Sequence, residues 1–97
     1  MPRYVALIDW TDQGVKSFKE SPDRVTRGQQ LAEGLGVSLE DVYWTLGEHD
    51  LVAILEAPDD ETATAFLLSL GGQGNIRTKT LRAFSRDEMQ SILEKTA

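Results

Sequence analysis

Residues 45–70 read TLGEHDLVAILEAPDDETATAFLLSL, a turn, a strand, a helix start and a helix in direct succession. Leu51-Val52-Ala53-Ile54-Leu55 is a continuous apolar run, too short for a helix and preceded by Gly47, so it predicts a strand with apolar side chains on both faces. Pro58 ends that strand. Asp59 or Asp60 then caps a helix whose acidic first turn suits the helix dipole. Ala63, Phe66, Leu67 and Leu70 recur at helical spacing as one apolar stripe, and Gly71-Gly72-Gln73-Gly74 terminates it. Strand, turn and helix are thereby expected to pack as one unit.

Working outward toward the N-terminus, Arg3 to Trp10 (RYVALIDW) predicts a first strand that is also apolar on both alternate sets, Tyr4, Ala6, Ile8, Trp10 and Val5, Leu7. Thr11 caps a short helical segment reaching Val15 and Phe18. Ser21-Pro22-Asp23 marks a stronger start, with Ser21 as N-cap and Pro22 at the first helical position. The helix that follows carries Val25, Leu31, Ala32 and Leu35 on one side and ends at Gly36. Gly28 falls on that stripe against helix propensity, which points to a close approach of another backbone. Val37 to Leu46 predicts a second strand, with Val42, Trp44 and Leu46 on one face and Asp41, Tyr43 and Thr45 on the other. Gly47-Glu48-His49-Asp50 turns it into the Leu51 strand as a hairpin.

Toward the C-terminus, Asn75 to Phe84 predicts a fourth strand whose Arg77, Lys79 and Arg82 suit a sheet edge. Ser85 and Glu88 form a capping box that opens a last helix, with Met89, Ile92 and Leu93 expected to turn inward. The order β-α-β-β-α-β plus a C-terminal helix, over residues 1–97 as one domain, is the ferredoxin-like α+β arrangement. Two helices cover only one face of a four-stranded sheet. The two-sided apolar strands therefore ask for a partner on the other face, and a second copy of the chain is the simplest one. Sheet-on-sheet packing would give a dimeric α/β barrel, and the expected partner is a homo-oligomer, a dimer or a multiple of dimers.

Composition narrows the function classes. Ninety-seven residues with 40% apolar content build a small core that oligomerisation would support. No apolar run is long enough to span a membrane, and no basic-then-apolar leader is visible, so no membrane partner and a cytoplasmic location are expected. The absence of cysteine removes disulfide and thiolate chemistry. A net charge of −6 argues against nucleic acid, which is bound through clustered Lys and Arg. One histidine and no cysteine leave only scattered carboxylates, so no metal site is expected, and nothing in the residues asks for a cofactor.

Over nearly its whole length the chain resembles the GYD-domain family of small bacterial and archaeal proteins. The resemblance is carried by the YVAL strand followed by Thr11-Asp12-Gln13-Gly14, and by the Ser21-Pro22 helix start. It also rests on Leu46-Gly47-Glu48-His49-Asp50-Leu51-Val52, on Glu56-Ala57-Pro58-Asp59-Asp60, and on Gly74 to Phe84. In the family's Gly-x-Tyr-Asp turn, Gly47 and Asp50 match and His49 takes the place of the tyrosine. The resemblance implies a dimeric α/β-barrel fold and no particular activity. Relatives by fold include small monooxygenases, haem-handling enzymes and ligand-sensing domains of transcription factors, so fold alone selects no function.

The candidate ligand-binding residues are His49, Asp50, Trp10, Tyr43, Asp9 and Arg77. His49 suits acid–base work or ligation, and equally a tight turn. Strand alternation places it with Leu51, Ala53 and Leu55, and places Asp50 with Val52, Ile54 and Glu56. Asp50 either orients His49 or a ligand, or closes the turn on nearby amides. Trp10 and Tyr43 suit an apolar pocket, and equally core or interface, Tyr43 pointing opposite to its neighbour Trp44. Asp9, on an apolar strand, needs a partner, and Arg77 or Arg82 is the candidate. No catalytic set is identifiable. Three readings remain: a small-molecule binding or sensing module with a pocket between sheet and helices, a cofactor-independent enzyme of the small monooxygenase type, and a structural assembly subunit.

Overall fold

The computed structural model describes residues 1–97. Four strands form one antiparallel sheet: β1 (Arg3–Trp10), β2 (Ser38–Trp44), β3 (Leu51–Glu56) and β4 (Ile76–Ala83), in the order β2-β3-β1-β4. The two apolar strands are the central pair, as their composition requires, and the charged β4 is an edge. Ala6 faces Ala53 across β1 and β3, and Val5 faces Leu81 across β1 and β4. A bulge lies in β2 between Leu39 and Asp41.

The helices are α1 (Asp12–Lys16), α2 (Ser21–Gly34), α3 (Asp60–Gly71) and α4 (Arg86–Leu93), with a 3₁₀ turn at Phe18–Glu20. Thr11 caps α1 by accepting from the Gly14 amide, and Asp59 caps α3 by accepting from the Thr62 amide. The α2 start differs from the sequence expectation. Ser21 is the first helical residue rather than the cap, Glu20 precedes it, and Pro22 sits within the first turn. Ser21 is drawn inward because its hydroxyl accepts from Trp44 Nε1 at 2.9 Å, which ties α2 to the end of β2. That bond also keeps Trp44 on the helix side of the sheet, while Leu46 lies beyond the strand in solvent.

α2 lies against β2, α3 lies against β4, and the two helices touch, so both cover one face. The core forms there from Tyr4, Ala6, Ile8, Leu51, Ala53, Leu55 and Ala57 of the strand segments, with Ala32, Ala63 and Phe66 of the helices. Phe66 is fully buried, which at about 3 kcal/mol or less for one large side chain makes it a major single contributor. The opposite face carries Val5, Leu7, Val52 and Ile54, only half-buried, with Tyr43 and Leu81 exposed beside them.

Two further expectations are corrected. The capping box of Ser85 and Glu88 is present, but Met89 and Leu93 are 46% and 49% exposed. Ile92 alone of the three is half-buried; α4 makes no extensive contact with the rest of the chain, so Met89 and Leu93 have nothing to turn inward against. At Gly28 a Cβ would meet only the Leu70 Cδ2 at 3.7 Å, an ordinary contact with a side chain. The close backbone approach occurs at Gly14 instead, where a Cβ would lie 1.9 Å from the Asn75 carbonyl oxygen.

Candidate functional site

The six candidate residues fall on two sides of the sheet. Between the sheet and α2/α3 lies a cavity of about 80 Å³. Ala6, Ile8, Trp10, Ala53 and Leu55 form its sheet wall; Val25, Gly28, Phe66, Leu67 and Leu70 form its helix wall. Of the predicted residues, Trp10 alone reaches it. A Trp at the last position of β1 is the largest flat surface available to an apolar ligand there.

His49, Asp50, Asp9 and Arg77 gather at the opposite side of the same strand end. His49 Nδ1 lies 3.2 Å from Asp9 Oδ1, with the two side chains 24% and 36% exposed. Asp9 alternates with the buried Ile8, so it belongs to the open face. His49 therefore does not share a face with Leu51, because the alternation of β3 does not extend back through Asp50. The Asp50 carboxylate accepts from the Trp10 amide at 2.9 Å, its own amide donates to the Ile8 carbonyl, and its carbonyl accepts from the Thr45 amide. Asp50 thus serves the backbone, as one of its two readings holds, but it closes the end of β1 as well as the turn. Gly47, at φ +125°, provides the loop with a conformation that other residues rarely adopt.

Asp9 pairs with neither predicted arginine. Arg77 is its cross-strand neighbour by register, but the bond goes to His49. Arg82 instead lies 3.4 Å from Glu88 and stacks 4.6 Å from the Phe84 ring centroid. Tyr43 stands opposite Val52 on the open face and is exposed. His49 and Asp9 form a histidine–carboxylate pair of the sort that orients an imidazole, at the rim of the open face rather than in a cavity. No group of three or more His, Asp or Glu side chains is gathered to hold a metal ion.

The cavity has a polar end that the sequence did not reveal. It is made by Ser21 and Arg24 at the start of α2, and by Gln73 and Asn75 at the junction of α3 and β4. That junction is held by the segment after β1. The Thr11 amide donates to the Asn75 carbonyl, the Thr11 hydroxyl donates to the Gly74 carbonyl, and Gln13 Nε2 donates to Asn75 Oδ1 at 2.9 Å. Arg24 completes the assembly by donating to the carbonyls of Gly14 at 3.2 Å and Ser17 at 2.9 Å. Thr11-Asp12-Gln13-Gly14 and Gly74-Asn75, far apart in sequence, are thus one contact. Ser21 carried a signal only as a capping residue. Arg24, in an ordinary helical position, carried none.

Elsewhere, burial pushes the Tyr4 phenol up to about 12, and its hydrogen bond to the Asp60 carboxylate adds to the shift. The Asp59 and Glu88 carboxyls are lowered, Asp59 by its bonds from Thr62 and Glu88 chiefly by the Ser85 amide, which marks both as working caps.

An antiparallel sheet in this order with two helices on one face defines the class, an α+β protein of ferredoxin-like type. The sequence model of the GYD domain matches residues 4–93, and the chain belongs to the GYD-domain family. Among solved structures it is similar to TTHA0845 from Thermus thermophilus, at 25% identity and a TM-score of 0.56, over 88% of this chain and 95% of that one. It is also similar to MtbAldR, at 12% identity and a TM-score of 0.68, over 88% of this chain but only 53% of that longer one; the likeness there is of fold. No curated protein sequence matches the chain. No helix is long and apolar enough to cross a membrane.

Proposed function

We propose that this protein is a small-molecule binding or sensing module that works as a homodimer. The observation that carries the binding reading is the cavity of about 80 Å³ between sheet and helices, mostly apolar, walled by Trp10 and furnished with polar groups at one end. Apolar walls with a few polar groups are the usual lining of a ligand site; at about 80 Å³ the cavity is smaller than the few hundred cubic ångströms usual for one, which restricts its ligand to a very small molecule. The dimer reading is supported by Val5, Leu7, Val52 and Ile54, which form an apolar band on a sheet face that no helix of the same chain covers.

The binding reading is tested by NMR titration with a panel of small apolar molecules, following the methyl signals of Ala53, Leu55 and Leu70. Shifts confined to these residues, and abolished by the cavity-filling Ala53→Leu, are expected. A cavity that stays silent to the whole panel would be a packing void, and the binding reading would fall. Sedimentation equilibrium at micromolar concentration tests the dimer separately, since a well-folded monomer would remove it while leaving the cavity untouched.

A further inference from the structure

We infer that the cavity takes a small apolar carboxylate, with its hydrocarbon part against the Trp10 and Phe66 walls and its carboxylate at the Ser21–Arg24–Asn75 end. The inference rests on the reading of the cavity as a binding site and specifies the chemistry of its ligand. Three features of the polar end lead to it.

The first is spare donor capacity. Ser21 is 4% exposed and its hydroxyl oxygen accepts from Trp44 Nε1, and its hydroxyl proton makes no hydrogen bond to the protein. A hydroxyl carries one donor besides its acceptor sites, so this proton is unused in a buried position. Arg24 places two donors on the Gly14 and Ser17 carbonyls, which leaves three of the five guanidinium N–H groups free of protein partners. Asn75 lies beside them in the lining, with its Oδ1 accepting from Gln13 at a solvent-exposed contact.

The second is charge. The Arg24 side chain is only 13% exposed, and the nearest carboxylate, on the exposed Glu20, is 3.9 Å away. The cavity lining contains no Asp, Glu, Lys or His. A single, poorly matched cation therefore governs this end. Arg24 is paired only loosely with the exposed Glu20 carboxylate at 3.9 Å, and a ligand carboxylate at bonding distance would match the guanidinium fork more closely. A neutral amide would satisfy donors without matching the charge, and an ammonium would be repelled. The net charge of −6 does not oppose this at contact range, since exposed charges are screened beyond about 10 Å.

The third is size. A water-sized group needs roughly 10–15 Å³ of such volume. The cavity of about 80 Å³ is about half the roughly 150 Å³ that takes a benzene ring, so it admits about three or four non-hydrogen atoms, the scale of a short-chain acid such as acetate or propanoate.

The experiment compares three probes of closely similar size on the wild-type protein by calorimetry and NMR: propanoate, propanamide and propylamine. The expected order is carboxylate first, tighter than the amide by about tenfold or more, with no binding of the amine. Arg24→Gln is expected to lower carboxylate affinity by about tenfold or more and amide affinity by a smaller factor, so that the preference for the carboxylate disappears. Because Arg24 also clamps two carbonyls, Ser21→Ala serves as a second variant, with carboxylate affinity reduced by a smaller factor. Equal affinities for acid and amide in the wild type would overturn the carboxylate inference and leave the binding site standing. Binding of none of the three, with the cavity signals unmoved, would overturn both.

Discussion

His49 Nδ1 and Asp9 Oδ1 lie 3.2 Å apart on the open side of the sheet, while Trp10, the next residue along the strand, turns the other way into the cavity. One peptide unit thus separates a polar pair at the rim of the open face from the apolar wall of a candidate ligand site. The sheet itself keeps the two apart.

It follows that His49 and the cavity are independent. His49→Gln should leave the affinity for cavity ligands unchanged and alter stability by no more than about 1 kcal/mol, the range of a partly exposed ion pair. Urea unfolding and ligand titration on the same preparation check this. Loss of cavity binding in the variant would show coupling through the strand that the geometry does not contain.

Tyr4 makes stability sensitive to high pH. Its phenol has an ordinary value of 10.0 and is raised to about 12 in the fold, so the folded state favours the protonated form. That contribution is whole below pH 10 and is lost as pH rises toward 12. Denaturant midpoints measured across this window should fall faster for the wild type than for Tyr4→Phe, which below pH 10 should be less stable by about 1 kcal/mol through loss of the Asp60 bond. Parallel curves would refute it.

Two glycines should respond in opposite ways to alanine. At Gly14 the new methyl would collide with the Asn75 carbonyl, backbone against backbone, and break the clamp formed with Thr11; a cost of about 1–3 kcal/mol or more is expected. At Gly28 the methyl would meet Leu70 at van der Waals distance, and helix propensity should gain up to about 1 kcal/mol. Melting temperatures rank the two variants, and the reverse order would contradict the packing described.

Thr80 stands opposite Ala6 with its hydroxyl oxygen buried and unpartnered. Thr80→Val keeps the shape and removes the unsatisfied group, so a gain of about 1 kcal/mol is expected. A loss on chemical denaturation would mean that the hydroxyl has a partner, such as a buried water.

On the open face, Val5 and Ile54 are cross-strand neighbours at the centre of the sheet. Ile54→Asp should convert the proposed homodimer to a monomer with an unchanged circular dichroism spectrum, because a carboxylate there would be desolvated without a partner. An unaltered dimer would place the interface elsewhere.

The sequence determined the architecture almost alone. Apolar runs, Pro58 and the caps at Thr11, Asp59 and Ser85 are local signals, and local signals suffice where backbone hydrogen bonding and side-chain period agree. The unused sheet face was legible for the same reason, since residues with a period of two declare both faces. Only the tertiary structure decided the site. Extending the alternation of β3 back to His49 failed because Asp50 replaces a backbone acceptor with its side chain, a substitution no periodicity records. Gly28 stood out in the sequence and Gly14 did not, and the distinction between them lies in what the fold brings opposite each. Ser21, Arg24 and Asn75 meet only because the segment after β1 and the junction after α3 are pressed together by long-range contacts. The donors left over at that meeting depend on which partners the fold has already supplied.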